Sequence, residues 1–246
     1  MEMKGPGGDS RAFFFMLPSG SQRVGTAMPN GTSAQAWRVN PKHALFAFIA
    51  AMLAYVLHHN EHFLIDRNDP AWPHYRIIGR WLLPHGLAGA TALLLGISQF
   101  STRLRTRHTQ LHRVLGRTYL VAVSVVAPLG AYIQYLNEEL LGHSRSFTFA
   151  AITFASLWLL ATWMAFWCIR SRRIEQHRQW MSRSLAMALV FLEVRVIEGL
   201  TGWETLGPAV DATVVWTCVA LGYPLADIVL QINENLRARS RSALRA

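Results

Sequence analysis

Long blocks of hydrophobic residues alternate with shorter polar segments along the chain. The apolar blocks cover residues 42–59, 81–100, 117–136, 147–169, 183–200 and 211–231. Each block is close to the roughly 20 residues that an α-helix needs to cross the hydrocarbon core of a bilayer. The pattern therefore predicts an all-α integral membrane protein, a bundle of about six transmembrane helices.

The segments on either side of these blocks predict the domain organisation. Residues 1–41 are rich in Gly, Ser, Pro and Asn and predict a flexible N-terminal tail, in which Met28 is an alternative start to Met1. The transmembrane helical domain is predicted over residues 42–232. Residues 233–246 are predicted to form a basic cytoplasmic C-terminal tail.

Basic residues are concentrated in every second connection between the blocks. The N-terminal tail, the loops 101–117 and 170–183 and the C-terminus hold 19 of the 24 Lys and Arg residues. The alternate connections hold four basic residues against seven acidic ones. Because positively charged loops stay in the cytoplasm, this distribution predicts that both termini are cytoplasmic.

Composition excludes the main alternatives to a membrane protein. Hydrophobic residues make up 52% of the chain and charged residues 15%, whereas an average soluble domain carries roughly 25% charged residues. The net charge of +10 follows the loops, so we interpret it as a topology signal and expect no nucleic-acid partner. Cys168 and Cys218 lie in apolar blocks and predict neither a disulfide framework nor a zinc site.

Six polar residues lie inside the apolar blocks, where each costs roughly 2.5–3.5 kcal/mol and needs a reason. By depth, four of them lie in the outer half of the membrane: His85, Gln134, Arg195 and Glu198. Glu193 lies near the middle of the membrane, and Asp227 lies near the cytoplasmic end of its block. Arg195 and Glu198 are three residues apart and are predicted to pair on one helix face. We expect this pair to face the bundle interior, with His85 or Gln134 within hydrogen-bonding reach.

A second polar cluster is predicted at the cytoplasmic boundary. Two segments begin with His-Arg, followed by a second Arg four or five residues after the first; they contain His112, Arg113 and Arg117, and His177, Arg178 and Arg183. Histidine adds little to membrane orientation, and a neutral imidazole can ligate haem iron or form hydrogen bonds between helices. Both interpretations stay open for these histidines and for His85, which is followed by small residues that leave room for a macrocycle or for another helix.

Three separated motifs resemble one bacterial family of predicted membrane proteins, the domain of unknown function twenty-three hundred and six. They are Leu-Pro-His85-Gly with the later Gly96-Ile-Ser-Gln99-Phe, then Leu-His112-Arg113-Val-Leu-Gly116-Arg117-Thr-Tyr119, and finally His177-Arg178-Gln-Trp180-Met181-Ser-Arg183. The resemblance implies a helical, multi-pass protein of the bacterial plasma membrane. It implies no activity.

The histidine layout favours a redox function through a b-type haem or a quinone-linked site. In this hypothesis His112 and His177 are the axial ligands of haem iron, and Arg113, Arg117, Arg178 and Arg183 hold the propionates. A second haem at His85 would need His58, His59 or His143 as its partner. Any enzyme activity would then be that of a membrane oxidoreductase component.

Two other functions remain open at this stage. An accessory or scaffold subunit of a membrane complex would use the same histidines for interhelical bonds and the arginines for anionic lipid headgroups. A small proton-coupled carrier would use Glu193, Arg195, Glu198 and Asp227 as relays within the membrane.

Overall fold

The protein is built from helices throughout the part of the chain that the structure describes. The computed structural model describes residues 41–59, 68 and 72–243. The predicted N-terminal tail up to residue 40, Met28, most of the loop before residue 72 and residues 244–246 lie outside the described residues. The described residues contain no strand, which confirms the all-α prediction.

Seven α-helices and one 3₁₀ turn are described. They are α1 (Pro41–His59), α2 (Trp72–Ser98), α3 (Thr102–Arg107), α4 (Thr109–Leu141), α5 (Arg145–Arg170), α6 (Ile174–Thr201), the 3₁₀ turn Trp203–Leu206 and α7 (Pro208–Ala243).

Four helical segments are long and apolar enough to cross a membrane: Ile78–Ser98, Thr109–Leu141, Arg145–Arg170 and Pro208–Leu236. The apolar part of α1, Ala44–His59, is shorter. Helix α6 is not one of the four, because Arg183, Glu193, Arg195 and Glu198 interrupt its apolar sequence. The protein is therefore a multi-pass membrane protein with at least four candidate spans.

Most helices extend beyond the apolar blocks that predicted them. Helix α2 begins nine residues before its block, α4 eight residues before, and α6 nine residues before. Helix α7 has 36 residues, about 54 Å, which exceeds the roughly 40–45 Å of a whole bilayer. Apolar blocks mark only the part of a helix that lies in hydrocarbon, whereas backbone hydrogen bonding continues into the headgroups. Residues 233–243 of the predicted C-terminal tail accordingly continue α7.

The helices pack around a core formed by α4, α5 and α6. Helix α4 packs mainly on α2 and α5, α6 packs mainly on α5 and α7, and α1 packs on α6. A Cβ atom added to Gly89 or Gly96 of α2 would lie 3.4 Å from Val126 or 3.0 Å from Tyr119, both in α4. The small residues after His85 therefore allow α4 to approach closely. Of the two interpretations that the sequence left open, room for a macrocycle or for another helix, the structure favours the second.

Candidate functional site

The two inner histidines occupy equivalent positions on two helices of the bundle. His112 lies in the first turn of α4 and His177 in the first turn of α6. Consecutive antiparallel helices α4, α5 and α6 give α4 and α6 the same direction. The structure thus places the two histidines that the sequence paired at the same end of the bundle.

A buried hydrogen bond sets the distance between α4 and α6 just above this pair. The Tyr119 hydroxyl and Ser184 Oγ are 2.6 Å apart, and each residue lies seven positions after the histidine of its helix. Seven residues make two turns and about 10.5 Å of rise, so histidine and hydroxyl share one face on each helix. The lengths of the two side chains limit the Cα separation at this level to about 12 Å.

Three further contacts hold that hydrogen bond in place. Thr162 Oγ1 of α5 lies 2.7 Å from Ser184 Oγ, and Trp158 Nε1 donates to the Tyr119 hydroxyl at 3.3 Å. All four side chains are buried. The cluster of Tyr119, Trp158, Thr162 and Ser184, here called the hydroxyl cluster, fixes α4, α5 and α6 relative to each other.

The ring of His177 has one defined tautomer. Its Nδ1 lies 2.8 Å from the carbonyl oxygen of Ala165 in α5. Because a carbonyl oxygen can only accept, Nδ1 carries the proton and Nε2 presents a lone pair. A histidine that ligates a metal almost always donates its other ring N–H in this way.

His112 and a neighbouring glutamine are among the residues whose buried polar atoms form no hydrogen bond in the described part of the protein. In these two residues the atoms are Nδ1 of His112 and Nε2 of Gln99 at the end of α2. The Gln99 amide packs on α4 at Gly116, where an added Cβ would lie 3.2 Å from Gln99 Oε1. Gly116 follows His112 by one turn on the same face. Leaving such atoms unpaired costs about 1–3 kcal/mol each, so the site favours an additional binding group.

The four arginines predicted to hold propionates divide into two pairs. Arg183 Nε lies 2.8 Å from Asp227 Oδ1 of α7, and Arg178 Nη1 lies 3.0 Å from Glu175 Oε2. Arg113 and Arg117 are exposed and form no ion pair with any described residue. Arg113 and Arg117 are thus the two of these four arginines that can bind a ligand without breaking an existing ion pair.

The outer histidine is packed directly against a neighbouring helix. His85 Nδ1 lies 3.0 Å from the carbonyl oxygen of Val126, and a Cβ added to Gly130 would lie 2.9 Å from His85 Cε1. The ring therefore occupies the space that the missing side chain of Gly130 leaves on α4. One turn further out, Asn137 Nδ2 donates to Gln134 Oε1 at 3.4 Å. Gln134 Nε2 and Asn137 Oδ1 have no partner among the described residues.

The predicted ion pair in α6 is confirmed. Arg195 Nη1 lies 3.6 Å from Glu198 Oε2, the Glu198 side chain is 5% exposed and the Arg195 side chain 40% exposed. The Arg195 guanidinium also lies 5.5 Å from the centre of the Phe191 ring. The expected contact of this pair with His85 or Gln134 stays a prediction. Glu193 is half-buried and forms no hydrogen bond or ion pair within the described residues.

A second haem at His85 has weak geometric support. Of its three suggested partners, His59 stacks on Tyr55 with ring centres 5.2 Å apart, and both rings pack on Gly199 of α6. His58 and His143 are exposed. Among the described residues there is also no group of three or more His, Cys, Asp or Glu side chains able to hold a metal ion.

Comparison with known families supports the resemblance. The sequence profile of the family described as predicted membrane protein DUF2306 matches residues 82–230, more than half of the chain. The chain belongs to the DUF2306 family. No curated protein and no solved structure matches the chain at a significant level.

The DUF2306 match covers all three histidines of interest and excludes α1. His85, Gln99, His112 and His177 lie inside the matched segment. Sequence reasoning missed Gln99 and the hydroxyl cluster as parts of the site. The only available signal was the position of Gln99 inside a motif, because a glutamine at a helix end and a tyrosine within an apolar block are common in membrane proteins.

Proposed function

We propose that this DUF2306 protein crosses the bacterial plasma membrane six times, with both termini in the cytoplasm. The 19-to-4 division of basic residues between alternating connections supports this orientation. Helix α6 contacts α1, α5 and α7, so neighbouring helices shield much of its polar sequence from lipid. Helix α1 has 19 residues, about 28 Å, close to the thickness of the hydrocarbon core.

Cysteine labelling tests the topology. Cys168 and Cys218 are buried and should react little with the label. Replacing both by serine gives a parent protein without native cysteines. In that parent, a cysteine at exposed position 140 should react with a membrane-impermeant maleimide added to intact cells. A cysteine at exposed position 108 should react only after the membrane is opened. Labelling of position 108 alone in intact cells would contradict the proposed orientation.

We further propose that His112 and His177 bind one b-type haem at the cytoplasmic end of the bundle, for transmembrane or quinone-linked electron transfer. The observation that carries this proposal is the defined tautomer of His177, with its lone pair on Nε2, beside a His112 ring whose Nδ1 lacks a hydrogen bond. A bound haem would supply reversible one-electron transfer.

The residues around the pair fit such a group. The Tyr119–Ser184 hydrogen bond keeps the Cα atoms of α4 and α6 within about 12 Å of each other two turns above the histidines, which is compatible with two imidazoles that bind one metal ion. Arg113 and Arg117 are exposed at the same end and offer bidentate donors for the two propionates. Gln99 adds a buried amide that packs on α4 at Gly116, one turn after His112, and its Nε2 has no partner among the described residues.

An optical difference spectrum tests haem binding. Protein purified from cells supplied with a haem precursor should show a reduced-minus-oxidised band of a b-type haem, and His112→Ala and His177→Ala should each abolish it. His108→Ala is the matched control, because His108 is exposed one turn before His112 and should leave the band unchanged. A parent protein without the band, or variants that retain it, would refute the proposal.

A second candidate function is an accessory subunit of a membrane complex. The ion pairs Arg178–Glu175 and Arg183–Asp227 support it, because carboxylates of the protein itself, rather than a cofactor, engage these two arginines. In this case the exposed arginines Arg103, Arg105 and Arg107 of α3 bind anionic lipid headgroups. Co-purification of a stoichiometric partner from native membranes, without a haem band, would support this function over the first.

A further inference from the structure

Glu193 is an acidic residue near the middle of the apolar block 183–200 of α6, and neither the haem site nor the outer ion pair uses it. It lies nine residues, about 14 Å, beyond Ser184 of the hydroxyl cluster. Arg195 and Glu198 lie further out on the same helix. Under the proposed topology, the Glu193 carboxyl therefore lies near the centre of the bilayer.

The packing of α6 shows where this carboxyl faces. Leu192 packs on Met52 and Val56 of α1, while Met187 and Val190 pack on Gly222 of α7. Successive residues of an α-helix are rotated by 100°, which places residue 193 between the side of α6 that faces α1 and the side that faces α7. Glu193 thus lies on the side of α6 between the faces that pack on α1 and on α7, and its side chain is half-buried.

No cation neutralises this carboxyl among the described residues. On its own helix, Arg195 is paired with Glu198, and the inner Arg183 is paired with Asp227. From α7 the thiol of Cys218 lies within electrostatic range of Glu193. From α1 the nearest titratable groups are Tyr55 and His59, which pack on Gly199 more than one turn further out.

An unpaired carboxylate is unstable in such a place. A charged acid at the centre of a membrane-spanning helix is costly, because hydrocarbon does not solvate the charge. A buried acid without a partner normally takes up a proton rather than remain ionised. Intramembrane acids of this kind mark proton or ion pathways.

We infer that Glu193 is a proton-binding site within the membrane, a neutral carboxylic acid on the side of α6 between its α1 and α7 contacts. This inference does not depend on the haem. Glu193 and His177 lie on the same helix, sixteen residues apart.

A hydrophobic carbodiimide provides the test, since it reacts with a protonated carboxyl inside a bilayer. Full-length protein in liposomes should be labelled by dicyclohexylcarbodiimide at Glu193, as located by peptide mass spectrometry. The label should decrease as the pH rises, because ionisation removes the reactive acid. Glu193→Gln should lose this label while its thermal stability stays close to that of the parent.

Two control variants complete the experiment. Glu198→Gln should keep the label at Glu193, because Glu198 is ion-paired and buried and should not itself be the residue that reacts. The double variant His112→Ala/His177→Ala should keep it as well, which separates this inference from haem binding. A parent that takes up no label at Glu193, or a Glu193 label that is independent of pH, would overturn the inference.

Discussion

The inner and outer halves of the bundle each contain a histidine in a family motif, and the two environments differ. The His85 ring in the outer half fills a space left by Gly130 and is bonded to a carbonyl oxygen of α4. In the inner half, His112 has a buried Nδ1 without a hydrogen bond, next to Gln99 with an unpaired Nε2. Packing on α4 fixes the outer histidine, whereas no described hydrogen bond reaches Nδ1 of His112.

This difference shows that residue type and depth do not define a site in a membrane protein. Both histidines are buried polar groups that need a reason. For His85 the close packing of α2 on α4 supplies that reason. For His112 no described contact does, and the energetic cost of its unpaired nitrogen is what points to a ligand.

The largest effect should follow from filling the space occupied by the His85 ring. In Gly130→Ala the new Cβ would lie 2.9 Å from His85 Cε1, against a ring that is held by its bond to Val126. We expect the free energy of unfolding to decrease by about 3 kcal/mol, the upper end of the range for overpacking. This decrease would be measured as a lower midpoint of thermal unfolding in detergent.

Two further variants show whether His85 is the cause. Gly86→Ala should be neutral or slightly stabilising, because nothing lies within 4 Å of its added Cβ. His85→Ala combined with Gly130→Ala should recover part of the loss. Equal stability of Gly130→Ala and the parent would remove the packing role assigned to His85.

The second effect concerns the polar outer half. Arg195→Met should cost about 2 kcal/mol, because it leaves the Glu198 carboxylate buried without its cation; this value is reduced since Arg195 is 40% exposed. Arg195→Met/Glu198→Gln should be more stable than the single variant. Arg145→Met is the control, because the side chain of Arg145 is 77% exposed and its pair with Glu138 should contribute little. If the double variant is the less stable of the two, the pair does not act as described.

The smallest effect should come from the hydroxyl cluster. Ser184→Ala removes two hydrogen bonds, to Tyr119 and Thr162, but both partners keep another contact, with the side chain and the backbone of Trp158. We expect a loss of about 1 kcal/mol in thermal unfolding. Ser156→Ala, at an exposed position of α5, should change stability less. Equal losses in both variants would argue against a clamping role for the cluster.

The sequence predicted the fold class and the pairing of charged residues better than the site. Apolar blocks located the helices because a helix that crosses the hydrocarbon core of a bilayer needs a continuous run of apolar residues. The spacing of Arg195 and Glu198 was enough to predict their contact, because both lie on one helix. The roles of Gln99, Gly130 and Ser184 depend on contacts between helices, and no local pattern in the sequence reports which helix faces which.

The proposed sharing of one iron by His112 and His177 is tested most directly by electron paramagnetic resonance of the oxidised protein. Two imidazole ligands give low-spin ferric haem, so the parent should show a low-spin signal, and His85→Ala should show the same. His112→Ala and His177→Ala should each lose that signal, either with the haem itself or by conversion to high spin. A high-spin parent, or a low-spin signal that survives both variants, would contradict the account.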